Sequence, residues 1–372
     1  MLCLQASAGT NTSSVSFSCL AEDLDDVFSL FADVALRPAA PDSEVDLQRA
    51  LATDSLARRK DDPTGVPGVE LRRRVYGDDS PAAALTTKGS LRRSTGREVR
   101  RFLAEAFRPE GAVLGLVGDF DAAHAEALTR RYFGPDVWPR RASAPPLALR
   151  EIAPIEAPRQ PGVVLIDKKG LNQASIAMGE GGVAVTDADT PALSLLGELL
   201  NGFGGTLFDE LRTREGLAYS VSAGFAPEAA FEGTFAAGGQ TQTGRAAEFV
   251  TELQRVLKEA TEAAPSQTRL ADAKKAEAAS FVFSQAASGS QLGSKLAFKA
   301  LGLPTDLQFQ LREREQALSG EGVRAAAARR LHPDTQMIVI VADADEVRAS
   351  LQDAGLTIVD EVSYDDLWED LD

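Results

Sequence analysis

Within residues 201 to 227, NGFGGTLFDELRTREGLAYSVSAGFAP, two side chains could act on a ligand: Arg212 and Tyr219. Arginine presents a planar fork of donors that suits carbonyl or carboxylate oxygens, and tyrosine adds a single O–H. The segment opens on Gly202, Gly204 and Gly205, a turn whose backbone can take positive φ and approach a ligand closely. An amphipathic helix with Leu207, Phe208 and Leu211 on one side follows. A strand then alternates through Tyr219, Val221 and Ala223. A turn at Gly216 could aim both polar side chains at one locus. An ordinary helix-to-strand connection with a surface arginine and a half-buried tyrosine fits the same composition.

The run LFDELRTREGLAYSVSAGF resembles the C-terminal-domain signature of the M16 metallopeptidases, the insulinase/pitrilysin and mitochondrial processing peptidase family. There, L-R-x-x-x-x-L-x-Y follows a glycine-rich turn. The resemblance puts that family's substrate-binding pair on Arg212 and Tyr219 and extends over nearly the whole chain. It also implies that Gly202, Gly204 and Gly205 let extended substrate pass close to the backbone.

The same resemblance exposes a departure. Active members carry HxxEH on the first long helix of the N-terminal domain, with a further zinc-binding Glu downstream. Two histidines at i and i+4 face one way, and the intervening Glu serves the metal-bound water as general base. This chain has two histidines, His124 and His332, neither in such a pattern, and both read as surface residues. Counting from Pro63 and Tyr76, the downstream Glu position holds Ser55, and the Glu seven residues earlier maps to Gln48. Ser and Gln are poor zinc ligands beside a carboxylate. No G-x-S-x-G elbow or GxxxxGK[ST] loop occurs. The run SQAASGSQLGSK (284 to 295) reads as a flexible joint between helices.

The chain's 372 residues predict two domains, and its 44% apolar and 25% charged residues are ordinary for a soluble protein. A net charge of −16 argues against nucleic acid or an anionic membrane as partner. The arginine clusters at 72 to 74, 100 and 101, and 140 and 141 read as solvated. Cys3 and Cys19 make no disulfide framework, no apolar run is long enough to span a bilayer, and the start lacks a signal-peptide pattern. The compartment stays open between cytoplasm and periplasm.

In order, the pattern predicts a strand over 14 to 20 and helices over 22 to 36, 43 to 60, 64 to 76 and 98 to 107. A strand over 112 to 119 and a helix over 121 to 133 follow. Seven prolines fall between 134 and 161, marking a linker. Strands at 162 to 169 and 173 to 180, the helix 190 to 202, a strand near 234 to 239 and the helix 245 to 260 come next. FRPEGAVLGLVGDFD (107 to 121) aligns without gaps on LHPDTQMIVIVADAD (331 to 345), so one fold is used twice.

The expected architecture is therefore α+β, a tandem repeat in which each copy is a largely antiparallel sheet with helices on one face. Its divisions are an incomplete N-terminal domain (1 to 140), a linker (141 to 161), a C-terminal domain (162 to 360) and an acidic tail (361 to 372). The first copy lacks its N-terminal strands and HxxEH helix, so either the natural start lies upstream of Met1 or a partner covers the gap.

The resemblance then implies a non-catalytic subunit that binds no cofactor itself. It would supply Arg212 and Tyr219 to a zinc-bearing M16 subunit, or to a second copy in a homodimer, for peptide hydrolysis. The alternatives are a zinc metalloendopeptidase with HxxEH upstream of a misassigned start, and a non-enzymatic scaffold of the same fold.

Overall fold

Two strands of the second half are apolar at nearly every position, GVVLID and MIVIVA, and such runs need cover on both faces. The computed structural model, which describes residues 3–9, 11–139, 152–155, 161–201 and 204–369, supplies it. The first half contains β1 (Cys3–Ala8), β2 (Ser13–Ser18), α1 (Leu24–Leu36), α2 (Asp42–Ala57), α3 (Val66–Tyr76), α4 (Lys88–Arg93), α5 (Gly96–Ala106) and α6 (Ala122–Phe133). The second begins with β3 (Gly162–Asp167), β4 (Gln173–Gly181), α7 (Thr190–Asn201) and a π-helical segment (Phe208–Arg214). It continues through β5 (Ser220–Ala226), β6 (Thr234–Gln242), α8 (Ala246–Glu262), α9 (Gln267–Ser284), α10 (Ser288–Ala300), α11 (Leu307–Ala317) and α12 (Gly320–Arg330). It closes with β7 (Met337–Ala342), α13 (Ala344–Asp353) and β8 (Ile358–Ser363).

The chain is α+β, as its pattern predicts. Its main sheet has six strands in the order β5-β6-β4-β7-β3-β8. β5, β6, β4 and β7 pair antiparallel, while β3 runs parallel to both β7 and β8. On one face α7, α8, α12 and α13 close a core that includes Phe235, Phe249, Leu253 and Val347, all fully buried. The apolar stripe Phe249, Val250, Leu253, Val256 and Leu257 gives α8 its packing side.

The opposite face is covered as well, and from the first half. Val66 and Leu71 of α3 pack on Val164, Ile166, Val339 and Val341, with Tyr364 and Leu367 beside them. This corrects the acidic tail expected over 361 to 372. Its start is the end of β8, and Tyr364 and Leu367 are buried. The Tyr364 hydroxyl donates to the Lys60 carbonyl at 2.6 Å. The Trp368 indole N–H donates to Glu70 at 2.8 Å, and Arg59 lies over the Trp368 ring. Acidic side chains face water here while the apolar ones dock, so net charge alone misjudged the segment.

The reading of Arg72 to Arg74 as solvated also needs correction. Glu70 is fully buried, and Arg73 and Arg74 both donate to its carboxylate at 2.7 to 2.8 Å. Burial opposes ionisation of Glu70. The hydrogen bonds from Arg73, Arg74 and Trp368 outweigh it and hold the carboxyl below its usual range.

In the first half β1 and β2 form an antiparallel hairpin, and α1 lies beside it. Phe28 is the centre of an aromatic cluster with Phe17, Phe31, Tyr132 and Phe133, ring centroids 5.8 to 6.0 Å away. The strand expected over 112 to 119 does not form; residues 112–117 run without ladder partners. Their repeat counterpart β7 lies between β3 and β4. No such flanking strands are present for 112–117 among the described residues, and the segment packs on α10 instead. A Cβ at Gly115 would come within 2.7 Å of a Leu292 methyl, so a larger residue there would have to push that side chain aside. The order hairpin then helix recurs in the second half as β5, β6 and α8. The expected joint over 284 to 295 shrinks to 285–287 between α9 and α10. Of the Pro-rich linker, 140–151 and 156–160 lie outside the described residues. No helix among the described residues is long and apolar enough to cross a membrane.

Candidate functional site

α7 forms because Leu193, Leu195, Leu196, Leu199 and Leu200 give it a buried side, and it ends at Asn201. The Asn201 amide then clamps edge strand β5. Its Nδ2 donates to the Ala223 carbonyl at 2.5 Å, and its Oδ1 accepts from the Ala223 N–H at 2.8 Å. Beyond it, Gly204 takes a φ of +80°, which an L side chain rarely adopts. Gly205 is buried, while Gly202 lies outside the described residues.

Leu207 and Leu211 anchor the next turns in the core. From Phe208 to Arg214 the backbone is π-helical, a form that is rare and concentrated at functional sites. The Leu211 carbonyl accepts from the N–H groups of Leu217 and Ala218, at 2.8 and 3.0 Å. Gly216, at φ +58°, turns the chain back toward β5. Arg245 fixes this turn by donating to the Gly216 carbonyl at 3.1 Å, while Glu248 holds the far side of its guanidinium.

The result brings Arg212 and Tyr219 together. Arg212 Nη1 donates to the backbone carbonyl of Tyr219 at 3.2 Å, and its guanidinium stands 5.1 Å from the Phe208 ring centroid. Tyr219 is 69% exposed, Arg212 is exposed as well, and the Tyr219 N–H is secured to Gln240 at 2.8 Å. The neighbouring charges are committed elsewhere. Arg214 pairs with Glu210 and Glu215, and Arg255 with Glu210, Glu252 and Glu259. Arg212 has no carboxylate partner among the described residues, which leaves the rest of its fork for an acceptor from outside.

Sequence reasoning singled out this pair and missed the residues that hold its turn. Asn201, next to the glycines, was legible as a helix-ending amide. Arg245 was not, because its partner carbonyl is almost thirty residues away.

The residues weighed as zinc ligands are dispersed. His124 Nε2 meets Asp25 at 2.7 Å on the surface, and His332 Nδ1 meets Glu180 at 2.7 Å. Ser55 and Gln48 lie on α2, both exposed. No group of three or more His, Cys, Asp or Glu among the described residues could hold a metal ion. The donor set does not fit zinc.

Comparison with known proteins gives a consistent set of likenesses. Residues 94–277 match the family model described as the peptidase M16 inactive domain. An uncharacterised zinc protease of Mycobacterium leprae is 29% identical over 204 residues, covering 54% of this chain and 45% of that protein. One from Streptomyces coelicolor is 28% identical over 209 residues, covering 55% and 45%. The chain thus spans about half the length of these curated relatives. Among solved structures, a peptidase M16 inactive domain from Pseudomonas fluorescens superposes with a TM-score of 0.80 at 26% identity, over 92% of this chain and 80% of that one. The periplasmic protease PqqL of Escherichia coli shares the fold, with a TM-score of 0.73 at 14% identity, over 92% of this chain and 37% of its own.

Proposed function

Since this chain belongs to the M16 peptidase family, we infer that it is a non-catalytic subunit presenting Arg212 and Tyr219 to a zinc-bearing M16 partner for peptide hydrolysis. A peptidase-related role follows from the family. The division of labour rests on one observation above others: the Arg212 guanidinium is tethered to the Tyr219 carbonyl while both side chains stay exposed. A surface pair with no interior packing to serve, locked at one end and open at the other, suits a ligand that arrives from outside.

In this reading a free N–H of Arg212 holds a carbonyl oxygen of the substrate. The Tyr219 hydroxyl donates to the oxyanion that develops on the scissile carbonyl. Donors fixed in advance at developing charge are worth about 10²–10³ in kcat each. The turn at Gly204, with open space where a Cβ would stand, leaves room for an extended peptide to pass beside the backbone. Zinc, held by the partner, would activate water; the residues of this chain bind and polarise. The experiment mixes this chain with an HxxEH-bearing M16 chain and assays peptide hydrolysis by each alone and together. Activity confined to the mixture, with Tyr219→Phe lowering kcat and leaving assembly intact, supports the reading. Full activity of the Tyr219→Phe mixture removes it.

A further inference from the structure

A cavity of about 220 Å³ lies between the C-terminal end of α7, the last turns of α8 and the first turn of α9. Its walls are aliphatic: Leu196, Leu199 and Leu200 from α7, Val256 from α8 and Val323 from α12. An apolar cavity of about 150 Å³ admits one benzene, whereas cofactor and drug sites run to roughly 300–1,000 Å³. The space therefore suits one compact aliphatic group.

Thr206 and Ser266 add hydroxyls to the lining. Two charged side chains line the cavity, Glu259 and Arg269. The Glu259 carboxylate is bound by the Arg255 guanidinium, which offsets its charge. Arg269 differs from most arginines of this acidic chain. It is half-buried and donates to the Gly204 carbonyl at 3.0 Å, and it meets no carboxylate among the described residues. Ser266 caps α9 by accepting from the Arg269 N–H, which fixes where the side chain departs. A guanidinium with donors to spare, lining a pocket with aliphatic walls, selects a carboxylate over a neutral oxygen.

We propose that this cavity is a second binding site, taking a carboxylate joined to a compact aliphatic group, as at the free C-terminus of a peptide ending in leucine. The side chain fills the space between α7 and α8, and the carboxylate meets Arg269. The site is separate from the Arg212–Tyr219 pair and does not rest on its proposed role.

Calorimetric titration of the full chain with acetyl-alanyl-alanyl-leucine, its C-terminal amide and N-acetylleucine tests this. The free acid binds, and the amide binds about tenfold more weakly or worse, since the charge-assisted bond is lost. Arg269→Gln abolishes the discrimination between acid and amide. Ala260→Phe, which fills the cavity from α8, abolishes binding of both. The titration reads binding by this chain alone, with no zinc-bearing partner present, so its outcome stays distinguishable from that of the mixed peptidase assay. Thermal melts confirm that each variant folds. N-acetylleucine binding as tightly as the peptide assigns the site to small free acids, and weaker binding assigns it to peptide ends. Equal binding of acid and amide, retention of the preference in Arg269→Gln, or no binding at about 10 mM, a Kd worth under 3 kcal/mol, overturns the proposal.

Discussion

Replacing Glu315 by Gln should stabilise the protein above neutral pH and leave it unchanged in mild acid. Glu315 lies on α11, only 7% exposed. Burial, then the neighbouring Glu277 charge, push its carboxyl up to about 7, against a hydrogen bond from Ser194 and the Arg312 charge. Glu277 on α9 is itself pushed up, first by burial and then by Glu198, with Arg312 again opposing. Below the unfolded value of 4.5 both states hold the proton and Glu315 costs nothing. Between 4.5 and about 7 the unfolded chain ionises first, so stability falls as pH rises. Above 7 the whole penalty is present, about 3 kcal/mol at 1.36 kcal/mol per unit. Glutamine keeps the shape and can still accept from Ser194, so Glu315→Gln recovers most of that at pH 8. Thermal melts of both forms at pH 4 and pH 8 measure it, with a rise in Tm of several degrees at pH 8 alone, at about 2–4 °C per kcal/mol. A difference between the proteins that is the same at both pH values, or a variant less stable at pH 8, would refute the reasoning.

Four further outcomes are expected. Glu70→Gln removes the buried anion that Arg73 and Arg74 share, leaving them only Asp78 and Asp360, and should cost about 1–3 kcal/mol in denaturant titrations. Wild type should also lose that pairing as pH falls through the depressed Glu70 range, so its acid unfolding begins there, below pH 4.5, and Glu70→Gln flattens that limb. Asn201→Ala frees both polar groups of Ala223 at the β5 edge; it should cost about 1–3 kcal/mol and speed amide exchange at Ala223. Leu211→Ala opens a cavity under the π-helical turns, at about 3 kcal/mol by thermal melt, and the mixed peptidase assay should lose activity with it.

Local pattern carried much of this fold. The α8 stripe and the apolar runs of β3 and β7 are set within a few turns or one alternation, so periodicity reveals them, whereas the Arg212-to-Tyr219 spacing stood out by its resemblance to a family signature. The strand expected at 112 to 119 has the right composition but no partners, and pairing is not a local property. The docked segment at 364–368 was hidden by its own acidity, because Tyr364, Leu367 and Trp368 meet α3 across some three hundred positions. Glu315 is invisible for the same reason: its burial comes from helices that sequence distance does not connect. The clamp by Asn201 belongs between these cases, built from a residue type that hints at capping without naming the carbonyl it reaches.

The staple between Lys60 and residues 364–368 has a consequence for biosynthesis. The underside of the six-stranded sheet is sealed from one direction by α3, made early, and from the other by a turn made some three hundred residues later. A nascent polypeptide cannot finish that seal while its distal portion is still inside the ribosome, so Val66 and Leu71 of α3 lack β7, Tyr364 and Leu367 until late in translation.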